Sequence, residues 1–319
     1  MSSQNSDCFQ VAAWGRPPLL RTQDFDVSPP MPHDFEVPNV QSLAFVASTQ
    51  LCQVLRAVFE LHQKRQPARP DEVARIEGLL CDWVRELPDD LRIYDRSGGR
   101  KPYCRAVSEF MIQYFTTIIF SEILGHKGRE QPWQVSVPSL IAASCAVALL
   151  DDIYCRDEAI FLPWTIGCSC LVIALPLIHH VPPSPAKEAA RKIELTVLRS
   201  VMMEMRDRYG DARMVLRMMK GLEKSTKRTA TGENPSPPTT QVPFSRAPEL
   251  FPFPPTLCEN MDLVALASAP VDEYAAFSFA PVQNWPADDA VFDFALVDLF
   301  GGDDMGFGLV GEQEGFAMD

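Results

Sequence analysis

Near Ser225 the sequence changes abruptly in composition, and the change divides the chain into two parts that cannot fold alike. Up to that point apolar residues recur every three or four positions. Beyond it eight prolines lie between positions 235 and 255, and acidic residues follow, interspersed with Phe, Leu and Val. Residues 230–319 hold fifteen acidic side chains and one basic side chain, Arg246, so the net charge of -13 belongs to this part alone. The other 27 acidic and 28 basic residues nearly cancel, which argues against a body that wraps nucleic-acid phosphates.

The apolar spacing before Ser225 predicts an all-α body, a bundle-like arrangement of six to eight helices. No alternation of period two is long enough to indicate a sheet. Asn39 is suited to cap the first helix, and Ser184 followed by Pro185 is suited to begin the sixth. The predicted helices run over about 40–62, 71–87, 103–124, 139–154, 159–179, 185–209 and 211–224.

The same patterns predict three regions along the chain. Residues 1–40 form an irregular lead-in punctuated by prolines, and residues 41–226 form the helical domain. Residues 227–319 form a proline-rich linker and a disordered acidic tail. The linker is expected to be neither helical nor packed, because it contains Pro235, Pro237, Pro238, Pro243, Pro248, Pro252, Pro254 and Pro255.

One stretch of the tail, residues 288–300, carries a pattern typical of segments that fold on a partner. As a helix it would place Phe292, Leu296, Leu299 and Phe300 on one face, with Phe294 nearby and aspartates near the N-terminal end. The charges keep the apolar side chains in water until a hydrophobic groove takes them up. We therefore expect coactivator binding here; the alternative is a tail that only confers solubility.

Paired aspartates at the end of the fourth predicted helix could hold Mg²⁺ and a diphosphate, as in all-α isoprenoid enzymes. The position one turn beyond Asp152 is Cys155 rather than an acid, and Arg156 would compete for the carboxylates. The sequence therefore favours a solvated helix end, and it predicts that the chain is not an enzyme. An enzyme that uses Asp151 and Asp152 remains the alternative.

Other metal-ligand types are too few for a site. Cys168 and Cys170 have no second pair nearby, and His179 and His180 have no third ligand in the sequence pattern. The nine cysteines show no repeated spacing, so they are expected to be reduced core residues. The sequence thus predicts no metal, cofactor or catalytic residue.

An uncharged stretch of twenty residues, 159–178, has the length of a membrane span. Pro163 and Pro176 interrupt it, and no basic asymmetry marks its flanks, so a buried central helix is the favoured interpretation and no membrane contact is expected.

Basic residues crowd the end of the helical part. They could act in nuclear import, pair with the acidic tail, or form a solvated helix face, and the last is favoured. The residues are Arg213, Arg217, Lys220, Lys224, Lys227 and Arg228.

The N-terminal lead-in carries a pair of short motifs. Gly15, Arg16 and Pro17 form a turn motif, and Asp24, Asp26 and Val27 lie in an Asp-x-Asp-Val stretch. This pair resembles the helical middle homology region of fungal zinc binuclear-cluster (Zn2Cys6) transcription factors. The helix over 41–63 and the Trp-Val-Arg-Glu-Leu-Pro ending at Pro88 are similar too, so the resemblance covers about residues 10–225.

The resemblance implies a helical regulatory domain, a small-molecule effector, a nuclear location and control of metabolic or secondary-metabolite genes. The family binds DNA through six cysteines in two Cys-x2-Cys-x6-Cys halves, but this sequence contains no Cys-x-x-Cys. Zinc and direct DNA binding are therefore expected only if a six-cysteine cluster precedes Met1; DNA would otherwise be reached through partners. An adaptor or dominant-negative regulator is a further alternative.

Overall fold

A computed structural model describes residues 7–8, 28–63, 69–125, 135–229 and 246–267. These residues are all-α, as predicted: about 72% are helical and none lies in a strand. Their helices are α1 (Val40–Gln63), α2 (Pro70–Glu86), α3 (Arg105–Gly125), α4 (Val137–Tyr154), α5 (Trp164–His179), α6 (Pro185–Met205), α7 (Asp211–Thr229), α8 (Ala247–Leu250) and α9 (Leu263–Ala267).

Two predicted helix starts are confirmed by hydrogen bonds at the caps. The Asn39 side-chain oxygen accepts from the backbone N–H of Ser42 at 2.9 Å, and the N–H of Asn39 donates back to Ser42 Oγ at 2.8 Å. At α6 the Ser184 hydroxyl accepts from the N–H of Lys187 at 3.3 Å, with Pro185 at the first helical position. These bonds satisfy N–H groups that have no partner within the helix.

The prediction of one helix over Ala159–His179 is wrong. A short 3-10 turn, Ala159–Phe161, is separated from α5 by Leu162 and Pro163. The proline ring disfavours the helical conformation of the residue before it, so Leu162 is extended and a new helix begins after Pro163. α5 then continues through Pro176 to His179.

The core is centred on α3 and α4, which are buried along most of their length. α3 packs against α1, α2, α4 and α5, while α4 also packs against α6 and α9. Tyr114 and Ile118 of α3 are fully buried, and the Tyr114 ring stacks on the Trp83 indole with centroids 5.0 Å apart. The indole N–H donates to the carbonyl of Ala47 at 3.0 Å, which ties α2 to α1.

Residues 246–267, here called the C-terminal segment, are packed against this core. The prediction that Pro248, Pro252, Pro254 and Pro255 lie in an unpacked linker is therefore wrong. Prolines prevent a long helix but do not prevent the side chains between them from entering a groove. The buried side chains of the segment are Ala247, Leu250, Phe251, Leu257, Met261 and Leu263.

Among the residues that the structure describes, two helices, Val40–Leu61 and Val137–Tyr154, are long and apolar enough to cross a membrane by length and composition alone. Most of each apolar stretch is buried inside the protein, 61% and 78% respectively. Core helices of soluble proteins pass the same test, so this observation is weak evidence for a membrane span. The uncharged stretch at 159–178 overlaps α5, which has 16 residues.

Candidate functional site

The C-terminal segment and a turn between α2 and α3 line a partly open cavity. The turn is built around Asp95, whose carboxylate accepts hydrogen bonds from the Ser97 hydroxyl at 2.6 Å and from the N–H groups of Ser97 and Gly99, each at 2.8 Å. These bonds, above all the one from the Ser97 side chain, lower the pKa of Asp95. Gly98 has a φ of 85°, a left-handed conformation that favours glycine.

The cavity has a volume of about 330 Å³, at the lower end of the range for small-molecule sites. Its walls come from α2, α3, the Asp95 turn and the C-terminal segment. The lining residues are Val84, Leu87, Arg92, Ile93, Tyr94, Asp95, Arg96, Gly98, Met111, Pro252, Phe253 and Pro254.

The two arginines at the cavity, Arg92 and Arg96, differ in the groups that they contact. Arg92 donates to the carbonyls of Leu87 at 3.1 Å and Arg85 at 2.6 Å, so it serves the backbone that follows α2. The Arg96 side chain is 84% exposed and approaches Asp89 at 3.5 Å. Because the lining includes Asp95 as well as two arginines, an apolar molecule with one acidic group would have to place that group at Arg96, away from the Asp95 carboxylate.

Phe253 is anchored by aromatic contacts that join the C-terminal segment to α3. The Phe115 ring lies 5.6 Å from the Phe253 ring, edge to face, and 6.4 Å from the Phe251 ring, which is parallel to it. The Tyr114 hydroxyl donates to the carbonyl of Leu250 at 2.9 Å. The cavity wall therefore depends on the docking of the segment.

Of the paired aspartates at the end of α4, Asp152 is engaged by cations. Asp152 forms ion pairs with Arg100 and with Arg156, the latter at 3.4 Å. The Arg156 guanidinium also lies 4.2 Å from the centre of the Tyr103 ring. The described residues contain no group of three His, Cys, Asp or Glu side chains placed to hold a metal ion. This cluster fastens the turn before α3 to the end of α4.

The histidine pair at the end of α5 is largely enclosed by the protein. Burial lowers the pKa of His179 to about 4, and burial together with the nearby Arg191 does the same for His180. Both imidazoles are thus neutral at pH 7. A neutral pair in the core interior fits a packing role.

Four of the predicted basic residues form one stripe on α7, here called the α7 stripe. Arg213, Arg217, Lys220 and Lys224 are exposed and recur at intervals of four, three and four residues. Within the described residues none of them forms an ion pair, whereas Glu223 of the same helix pairs with Arg199 of α6. The side chains of Lys227 and Arg228 lie outside the described part.

The residues predicted to bind a coactivator, Phe292, Phe294, Leu296, Leu299 and Phe300, lie outside the described residues. So do the motif residues of the lead-in, Gly15, Arg16, Pro17, Asp24, Asp26 and Val27.

The sequence did not predict the cavity, because the prolines of the C-terminal segment indicate an unpacked linker. One signal was present: residues 250–258 form a nine-residue stretch without a charge, inside a region that is otherwise acidic. An uncharged stretch with two phenylalanines and two leucines is costly to leave in water.

Compared with known proteins, the chain matches no family model, no curated protein and no solved structure.

Proposed function

We propose that this chain is a transcription regulator of the fungal zinc-cluster type that acts in the nucleus through a helical regulatory domain and an acidic transactivation tail. The observation that carries the proposal is the composition of residues 268–319. They contain eleven acidic residues, no basic residue and nine aromatic residues. A tail that only confers solubility has no need of so many aromatic side chains.

The mechanism proposed for the tail is folding on a coactivator. Residues 288–300 would become helical and insert Phe292, Leu296, Leu299 and Phe300 into a hydrophobic groove, with Phe294 at the edge. Asp288 and Asp289 would stabilise the N-terminal end of that helix. Long-range attraction between the acidic tail and a basic coactivator surface would speed the encounter.

The packed C-terminal segment supports a link between the body and the tail. Its last helix ends at Ala267, five residues before Asp272, the next acidic residue of the sequence, and the segment forms one wall of the cavity through Phe253. A small apolar acid bound in the cavity would stabilise the docked segment. The proposed effector would thus bind near the point where the tail leaves the body. The genes controlled in this way would be metabolic or secondary-metabolite genes.

A reporter assay tests the activating role. Residues 268–319 fused to an unrelated DNA-binding domain should activate transcription, and the double substitution Phe292→Ala with Leu296→Ala should reduce the signal about tenfold or more, as loss of hot-spot side chains does. The matched control, Phe279→Ala with Leu309→Ala, removes the same side-chain types outside the segment and should keep most of the signal. A silent wild-type fusion would contradict the proposal.

Deletion of the gene separates an activator from an adaptor that sequesters partners. Loss of target expression on deletion fits the activator, and a gain fits the adaptor. In either role DNA is reached through another module or partner, since residues 1–319 contain no pair of cysteines with the Cys-x-x-Cys spacing of the zinc cluster.

A further inference from the structure

Two cysteine sulfurs from distant parts of the chain are in contact where the C-terminal segment crosses α4. Cys145 Sγ lies 3.6 Å from Cys258 Sγ, although the residues are 113 positions apart. Met261 Sδ lies 3.6 Å from the same Cys145 sulfur. Cys145 is fully buried and Cys258 is half-buried, so only one member of the pair reaches solvent.

Hydrogen bonds on neighbouring residues fix the position of the two thiols. The Asn260 side-chain amide donates to Ser144 Oγ at 2.8 Å, next to Cys145 in the chain. Lys187 of α6 donates to the carbonyl of Glu259 at 2.7 Å and to Asn260 Oδ1 at 3.2 Å. A disulfide has an S–S length of about 2.05 Å, so the sulfurs would have to approach by roughly 1.5 Å, a distance that side-chain rotation and a small backbone shift can supply.

A second close pair of cysteines and the exposed Cys155 are less suited to this reaction. Cys8 and Cys52 also lie close together, with Cys8 Sγ donating to the Cys52 carbonyl at 3.3 Å, but both are buried. Cys155 is exposed, yet the adjacent Asp151 carboxylate raises its pKa and disfavours the thiolate.

We propose that Cys145 and Cys258 form an intramolecular disulfide when the protein meets hydrogen peroxide, fastening the C-terminal segment to α4. The Cys258 thiolate attacks hydrogen peroxide, forming an S–O bond and breaking the O–O bond, and the departing hydroxide takes up the proton that the thiol released, which leaves a sulfenic acid and one water. The Cys145 thiol gives up its proton, its sulfur attacks Cys258 Sγ, and the S–O bond breaks to release the second water. Two thiols are oxidised and one peroxide is reduced.

The disulfide would hold the C-terminal segment, and with it one wall of the cavity, in the docked position. Because it closes a long loop, it restricts local opening strongly. In a reducing compartment such a bond is transient and reports oxidation. The inference does not depend on whether the tail activates transcription.

Peptide mapping of the full-length protein tests the disulfide. The protein is treated with hydrogen peroxide, remaining thiols are blocked with iodoacetamide, and a digest without reductant is analysed by mass spectrometry. The expected product joins the peptides of Cys145 and Cys258 and disappears with dithiothreitol. Proteolysis within residues 250–258 should become about tenfold slower on oxidation, because cleavage requires the segment to open.

Variants decide the assignment. Cys258→Ser should abolish both the linked peptide and the slower proteolysis, whereas the matched control Cys155→Ser should retain them. Cys258 lies at the edge of the core, so its substitution leaves the fold measurable even where Cys145→Ser does not. Recovery of Cys258 as a free thiol or a sulfinic acid without the linked peptide, or its linkage to another cysteine or another molecule, would overturn the proposal.

Discussion

Helix α3 and the C-terminal segment are neighbours in the same core, but they differ in secondary structure and in sequence pattern. α3 is a regular helix that is buried on nearly all sides, including polar residues such as Gln113 and Thr117, so it is central. The C-terminal segment has two helices of four and five residues and is rich in proline, yet Leu250 and Phe251 are as inaccessible to water as the side chains of α3. Burial therefore does not require helical periodicity.

The difference shows what completes this core. The long helices leave an apolar groove along α2, α3 and α4, and an irregular chain can follow such a groove more closely than a further helix could. The segment satisfies its backbone locally or through side chains, as where Tyr114 donates to the carbonyl of Leu250. The two regions should accordingly differ in how much of the stability of the protein they determine.

The largest effect is expected from truncating a side chain of α3. Ile118→Ala should lower the free energy of unfolding by about 4 kcal/mol, because Ile118 is fully buried and leaves a cavity. Urea denaturation measures this. The same substitution at Ile193, which is 65% exposed on α6, should cost less than about 1 kcal/mol. Equal effects at both positions would contradict the central placement of α3.

A smaller and more local effect is expected in the C-terminal segment. Phe251→Ala should weaken docking of the segment by about 3 kcal/mol, since the ring is 2% exposed and stacks on Phe115. Local opening of the segment, measured as the rate of proteolysis within residues 250–258, should increase more than global unfolding does. Phe161→Ala removes a ring that is 53% exposed and serves as the matched control. Unchanged proteolysis of the Phe251 variant would show that the segment is not held by this contact.

Acid should distinguish the helical body from the C-terminal segment, because the segment contains no histidine. The folded state keeps His179 neutral with a pKa of about 4, whereas the unfolded chain takes up a proton below about 6.5. Stability from this group is therefore complete above pH 6.5 and is lost as the pH falls toward 4.

Between pH 7 and 5 the loss should be about 2 kcal/mol for His179. Urea denaturation at the two pH values should show that His179→Gln removes this part of the pH dependence. The control His33→Gln changes a side chain that is 78% exposed and should leave the pH dependence intact. A pH dependence that His179→Gln does not reduce would mean that this imidazole is not kept neutral by burial.

The smallest effect is expected at the hydrogen bond that joins the two regions. Tyr114→Phe removes the donor to the Leu250 carbonyl but keeps the stacked ring, so docking should weaken by only about 1 kcal/mol. Measured by proteolysis within residues 250–258, this loss should be smaller than that of Phe251→Ala. A larger loss would mean that polar rather than apolar contacts hold the segment.

Most of the helical body could be predicted from the sequence because its causes are local. Spacing of apolar residues indicates α1 to α7, and the caps at Asn39 and Ser184 fix two helix starts. The break at Pro163 also has a local cause, but the apolar run on both sides of it predicts one continuous helix. The C-terminal segment, the cavity and the contact of Cys145 with Cys258 depend on residues more than one hundred positions apart. Such contacts follow from packing in three dimensions, which periodicity does not encode.

The central claim is that residues 247–267 belong to the folded body, so that the proposed activating tail begins no earlier than residue 268, and not at residue 227. Amide hydrogen exchange of the full-length protein, followed peptide by peptide, tests this most directly. Peptides within 247–264 should exchange slowly, and Phe251→Ala should accelerate them while peptides of α3 stay protected. Exchange of 247–264 at the rate of an unfolded chain in the wild-type protein would contradict the account.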